Sequence, residues 1–172
     1  MDSKNAATNP RPLGDQLADF GGGAHALATQ ILGNREEAAD AVQDAIVRAL
    51  QKPESYDARR GALRPWFFGV VRNRCLDLLR RRRDTAGDVD ALPAEQRTPE
   101  DHAVSRDGAD RLRRALAALE SHQREILILR DFNDLDYAEI ATVLNLPKGT
   151  VMSRLHRARL ALRKEMIRRD PD

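Results

Sequence analysis

Asp136-Tyr137-Ala138-Glu139-Ile140-Ala141-Thr142-Val143-Leu144-Asn145-Leu146-Pro147-Lys148-Gly149-Thr150-Val151-Met152-Ser153-Arg154-Leu155-His156-Arg157 reads as two helices and the turn between them. Asp136 stands where an N-cap belongs, and Glu139 follows three residues later, the spacing of a capping box. Ile140, Ala141 and Leu144 fall inside the first helix. Asn145-Leu146 make the turn. Pro147 opens the second helix, at a position where a missing N–H is no loss. Val151, Leu155, Ala158 and Leu162 then recur at helical spacing and mark the buried stripe. Two short helices with a tight turn, the second one basic, make a helix-turn-helix.

The stripe also fixes what faces out. Gly149, Ser153 and His156 point away from it, with Lys148 and Arg157 on the flanks. Such a face suits a major groove, where Arg bonds a guanine edge or a phosphate and Ser bonds either. The backbone amides near Lys148 to Thr150 suit a phosphate. The competing reading is a basic amphipathic helix that only packs.

Working outward, charge is distributed in blocks. Nine arginines and one acid, Asp77, lie between Arg59 and Arg83; eight acids and two arginines lie between Asp84 and Asp110; eight basic residues and one acid, Glu165, lie between Lys148 and Arg169. Two basic surfaces separated by an acidic stretch suggest two contacts with a polyanion. Solvated helix faces are the plainer alternative. Gly87, Pro93, Pro99 and the acids over 84–107 are expected to form a flexible linker. Residues 1–12, polar and holding Pro10 and Pro12, are expected to be disordered.

The first domain is expected over 13–83. A weak helix from Leu13 meets Gly21-Gly22-Gly23, which should break or bend it, and helix resumes at Ala24. Asn34 caps a stronger helix, with Glu37 at the capping-box position, and Pro53 ends it. Its Asp40, Gln43 and Asp44 share one exposed face. After a polar loop over 54–62, a helix from Leu63 to Arg83 carries Trp66, Phe67, Val70, Val71, Leu78 and Leu79 on its apolar stripe. Its Arg80-Arg81-Arg82-Arg83 tail suits phosphate contacts. The second domain, 108–169, adds a helix over 108–119 and one over 122–131, the latter capped by Ser121. No strand pattern occurs, so the expected fold class is all-α, two small helical domains joined by a flexible linker.

Several functions are excluded on chemistry. One cysteine, Cys75, allows no intrachain disulfide and no multi-cysteine zinc site. The four histidines lack metal-ligand spacing, and the glycine run lacks the Lys-Ser/Thr of a phosphate loop. No nucleophile or pocket-forming motif accompanies the carboxylates. We expect no catalytic residues, no metal, no cofactor and no enzyme activity. With no secretory signal and no apolar span, a cytoplasmic protein without membrane insertion is expected.

Taken together, Glu37-Ala38-Ala39-Asp40-Ala41-Val42-Gln43-Asp44, Trp66-Phe67 with Asn73 seven residues after the Trp, and Asp77-Leu78-Leu79-Arg80-Arg81 resemble sigma region 2 of the extracytoplasmic-function (ECF) sigma factors. Leu119-Glu120, Glu125-Ile126-Leu127, Asp136 to Ala141 and Gly149 to Arg159 resemble sigma region 4. The resemblance covers about residues 24–83 and 108–166. It implies that Asp40, Gln43 and Asp44 dock on the β′ clamp helices of core RNA polymerase. It implies that the 54–62 loop (Tyr56, Arg60), Asn73, Arg80 and Arg81 act on the −10 element. It gives Lys148, Thr150, Ser153, Arg154, His156 and Arg157 to the −35 element, and adds the polymerase β flap and an anti-sigma factor as partners. Three positions depart from the family pattern: Met152 where Lys or Arg is common, Ile46 where an aromatic is frequent, and the Gly21-Gly22-Gly23 run. A helix-turn-helix regulator acting without core polymerase explains 108–169 but leaves Asp40, Gln43 and Asp44 idle. An interaction module that sequesters a partner is the third reading.

Overall fold

The computed structural model describes residues 11–86 and 106–168. Most of the expected N-terminal tail and most of the acidic linker lie outside the described residues. Among the described residues, eight α-helices follow one another: α1 (Leu13–Asp19), α2 (Gly21–Leu32), α3 (Arg35–Gln51), α4 (Leu63–Ala86), α5 (Arg106–Ala117), α6 (Ser121–Leu127), α7 (Tyr137–Leu144) and α8 (Lys148–Arg168). The described residues contain no strand. Helices α1–α4 form the first half and α5–α8 the second.

The helix break expected at the three glycines falls one residue earlier. Phe20 is the joint: its N–H donates to the Leu17 carbonyl at 3.1 Å, and its own carbonyl accepts from Ala24 at 2.9 Å. Gly21 to Gly23 form the first turn of α2. The first N–H groups of a helix have no partner within it, so weak helix formers are tolerated there. At its other end α2 stops on Gly33 in the left-handed conformation, φ 72°. Asn34 then caps α3, its side chain accepting from Glu36 N at 2.9 Å and Glu37 N at 3.0 Å.

The first core shows why α3 is rich in alanine. Ala38, Ala41, Ala45 and Ala49 are buried on its inner face, and such small side chains allow close approach of neighbouring axes. Leu27, Ala28, Ile31 and Leu32 of α2 and Phe67, Phe68, Val71 and Cys75 of α4 fill the space. Trp66, Val70, Leu78 and Leu79, expected on the buried stripe, are only partly buried, whereas Phe68 is fully enclosed. The stripe of α4 is wider than its periodicity suggests because the helix is covered from two sides.

In the second half, Ser121 is not the cap of α6: Glu120 holds that position and makes no side-chain cap bond. The helix expected over 122–131 begins as α6 and continues as a π-helical turn over Ile128–Phe132. Asn133 closes that turn, its backbone N–H and its Nδ2 each donating to the Ile128 carbonyl at 3.0 Å. Asp134 follows with φ 51° and Leu135 is fully buried. Ile126, Leu127, Leu129, Ile140, Val143, Val151, Leu155 and Ala158 complete this core.

The two cores are continuous, which the sequence reading of two tethered domains does not anticipate. Helix α4 packs on α7, and α2 packs on α6 and on the π-turn. Arg72 of α4 meets Glu125 of α6 at 3.0 Å, and Arg64 donates to the Asn133 carbonyl.

Candidate nucleic-acid interface

The helix-turn-helix forms as its spacing dictates. Asp136 accepts from Ala138 N at 2.7 Å and Glu139 N at 2.8 Å, and Glu139 Oε2 accepts from Asp136 N at 2.8 Å. Both members of the capping box are therefore satisfied. The bond from the Glu139 amide first, then that from Ala138 and the nearby Lys148 and Arg130, hold the Asp136 carboxyl below its ordinary 3.8 despite partial desolvation. Asn145, φ 53°, ends α7 in the left-handed conformation, and α8 starts three residues later.

On α8 the expected stripe is buried at Val151, Leu155 and Ala158, with Leu162 partly covered. Lys148, Gly149, Ser153, His156 and Arg157 are exposed; Thr150 and Arg154 are half-buried. Ser153 Oγ donates to the Thr150 carbonyl at 3.0 Å, and Arg157 Nε donates to the Ser153 carbonyl at 3.3 Å. These bonds lie along the helix and orient both side chains. Met152, at the position where the family carries a cation, is 60% exposed and adds an apolar surface beside them. Two residues missed in the sequence, His122 and Gln123 of α6, line an open depression of about 580 Å³ with Glu120, Arg154 and Arg157. Only the packing of α6 on α8 brings them there, and no spacing in the chain signals it.

The other surface is built around α4. Asn73 is exposed, and Arg80 lies seven residues on, hence on the same side and about 10 Å along the axis. Arg80 pairs with Asp77 at 3.1 Å, and Arg81 is exposed. Arg82, from the same tail, pairs instead with Glu37 of α3. The 54–62 loop holds two short 3-10 turns, Pro53–Ser55 and Ala58–Arg60. Tyr56 lies against Trp66, ring centroids 5.3 Å apart, and its hydroxyl donates to the Gly61 carbonyl at 3.1 Å. The phenol thus braces the loop, while Arg60 is exposed at its end. Asp57 caps the second turn; the side-chain bond from Arg59 holds its carboxyl below the ordinary value.

On α3, Asp40 and Gln43 are exposed. Asp44 differs: Arg74 of α4 donates to its Oδ2 from Nε at 2.9 Å and from Nη2 at 2.5 Å. The Arg74 side chain is only 12% exposed, so Asp44 neutralises a nearly buried cation as well as bordering the patch. Cys75 is fully buried, and burial first, then the neighbouring Glu125, push its thiol up to about 12. A thiol so placed is inert towards oxidants in the folded protein.

Comparison with known proteins is consistent with this geometry. Residues 19–85 match the family model for Sigma-70 region 2, and residues 109–162 match Sigma-70, region 4. The chain is 31% identical over 152 residues to the ECF RNA polymerase sigma factor SigW of Bacillus subtilis, covering 81% of each. It is 36% identical over 142 residues to SigL of Mycobacterium tuberculosis, another ECF sigma factor, covering 79% of this chain and 78% of that one. Among solved structures, the sigma factor RpoE from Bartonella quintana, in complex with the anti-sigma factor NepR, superposes with a TM-score of 0.75 at 26% identity, over 91% of this chain and 97% of that one. CnrH, in complex with the cytosolic domain of CnrY, superposes with a TM-score of 0.66 at 25% identity, over 92% and 88%. A helix-turn-helix with a free basic face, an arginine-rich helix in the preceding bundle and this agreement along both halves lead to one conclusion: the chain belongs to the ECF family of RNA polymerase sigma factors.

Proposed function

We propose that this chain binds core RNA polymerase and directs it to particular promoters by engaging a −10 and a −35 element. The single observation that carries the reading is the coexistence of two outward basic surfaces with a separate acidic patch. The outer face of α8 supplies Lys148, Thr150, Ser153, Arg154, His156 and Arg157 to the −35 major groove. The loop residues Tyr56 and Arg60, with Asn73, Arg80 and Arg81, serve the −10 element. Asn73 offers hydrogen-bonding groups for an unstacked base, and the arginines offer phosphate contacts. Asp40 and Gln43, with Asp44 at their edge, dock on the β′ clamp helices, and the second half meets the β flap. An anti-sigma factor controls the chain; support comes from the whole-length likeness to a sigma factor solved with one.

Run-off transcription with core polymerase on genomic fragments tests this reading. Defined start sites are expected with the wild-type chain, and their loss with Arg157→Glu. Asp40→Arg should abolish association with core polymerase. Asp44→Arg is the poorer probe, because it would set a guanidinium against Arg74. A chain that binds duplex DNA yet never associates with core polymerase would be a free helix-turn-helix regulator.

A further inference from the structure

The outer face of α8 has two unlike walls. Val151, Leu155 and Ala158 are buried and fix the direction of the core, so Gly149 and Ser153 stand nearly opposite it. Arg154 and Arg157 lie to one side of that floor, where they line the depression with His122 and Gln123 of α6. Met152 lies to the other side, about 140° around the axis from Arg157. It sits one turn after Lys148 and one turn before His156, both exposed. One wall therefore donates hydrogen bonds, and the other presents a thioether that is 60% exposed. The remaining large apolar side chains exposed on α8 are Leu160 and Ile167. Leu160 is already about 12 Å further along the axis. A recognition helix reads bases with its N-terminal residues, and Met152 is the fifth residue of α8.

Chemistry narrows what such a group can read. Methionine has no donor and only a weak acceptor, so it neither neutralises a phosphate nor bonds a guanine edge. The major groove carries one apolar group, the 5-methyl of thymine. An unbranched, polarisable thioether adapts to a surface of that shape, and burying the two against each other removes apolar area from water on both. The floor beside Met152 is open as well: a Cβ on Gly149 would meet no atom within 4 Å. Nothing on that side of the helix holds a duplex away from the thioether.

We propose that Met152 is a specificity-determining residue that selects thymine in the −35 element through its 5-methyl group, on the wall of α8 opposite Arg154 and Arg157. The assignment rests on the promoter reading above and names the base class that this wall takes. The substitution of an apolar side chain for a cation then trades a contact that is blind to sequence for one that is not. A −35 element read this way combines a pair with a hydrogen-bonding edge for Arg157 and, displaced from it, a thymine for Met152.

Removing single methyl groups from the DNA tests this. A promoter is first obtained by run-off with core polymerase on genomic fragments. Each thymine of its −35 element, on either strand, is then replaced in turn by deoxyuridine, which differs only in lacking the 5-methyl. The full chain with core polymerase is titrated against each labelled duplex. At one position the wild type should bind about fourfold more weakly, the size expected for one buried methyl. Met152→Ala should bind the thymine and deoxyuridine duplexes equally, and Met152→Leu should keep most of the difference. Because Met152 is exposed, all three chains should unfold at the same temperature. A wild type indifferent to every replacement, a difference that survives Met152→Ala, or an element made of G·C pairs alone overturns the assignment while the promoter reading stands. A chain that directs no start site overturns the promoter reading, and the assignment with it.

Discussion

The two long basic helices, α4 and α8, are alike in composition and opposite in use. On α4, Arg64, Arg72, Arg74 and Arg82 are each spent inside the protein, on Asn133, Glu125, Asp44 and Glu37. On α8, Lys148, His156 and Arg157 face outward, and Arg159 is the member tied across the fold, to Asp131 at 2.5 Å. The difference follows from coverage. Helix α4 is packed by α2 and α3 on one side and α7 on another, so its guanidiniums are drawn into contacts that compensate their desolvation. Helix α8 is packed on a single stripe, and its remaining circumference stays available to a ligand. An arginine count alone therefore says little about nucleic-acid contact; the number of covered faces decides it.

The sharpest way to break this comparison is to empty the crowded helix. Phe68→Ala on α4 removes a fully buried ring and should cost about 3–5 kcal/mol of stability, read by denaturant unfolding. Next, Arg157→Ala on α8 should leave stability within about 0.5 kcal/mol of wild type and weaken −35 binding by about 1–3 kcal/mol, read by titration of a labelled duplex. Equal stability losses at the two sites would erase the distinction. Asp44→Ala, which leaves the nearly buried Arg74 without its half-exposed partner, should cost about 1–3 kcal/mol.

The capping box sharpens the α8 side through pH. The Asp136 carboxyl is held below 3.8 in the folded chain, so its stabilisation is complete above that value. It is lost as pH falls through the lower folded value. Unfolding of the wild type and of Asp136→Asn, compared across acid pH, should differ at pH 6, and the difference should shrink as pH falls below 3.8. Smallest of all is the effect at Cys75: with a thiol at about 12, a thiol reagent at pH 8 should leave it unlabelled until the protein unfolds.

The helix-turn-helix was legible because every signal in it is local. Asp136 with Glu139, Pro147 and the Val151-Leu155-Ala158 stripe act within a few residues of one another, and the structure realises each. The three glycines were legible as an interruption but not as a close contact, because Asn133, whose Oδ1 a Cβ on Gly23 would overlap, lies 110 residues downstream. Ser121 shows the limit of local rules too. The chain enters α6 one residue earlier, at Glu120, and Ser121 lies inside the helix.

By itself the sequence determined the helices, their caps, the basic outer face of α8 and membership of the two halves in one family, since periodicity and capping are short-range chemistry. Only the tertiary structure decided that α4 would be covered on two sides, that Asp44 would answer Arg74, and that Glu125 would be buried against Arg72. Each of those pairs joins residues 30 or more positions apart. A charge buried at such a junction is stable only when its partner arrives from another element, and no pattern along the chain records that meeting.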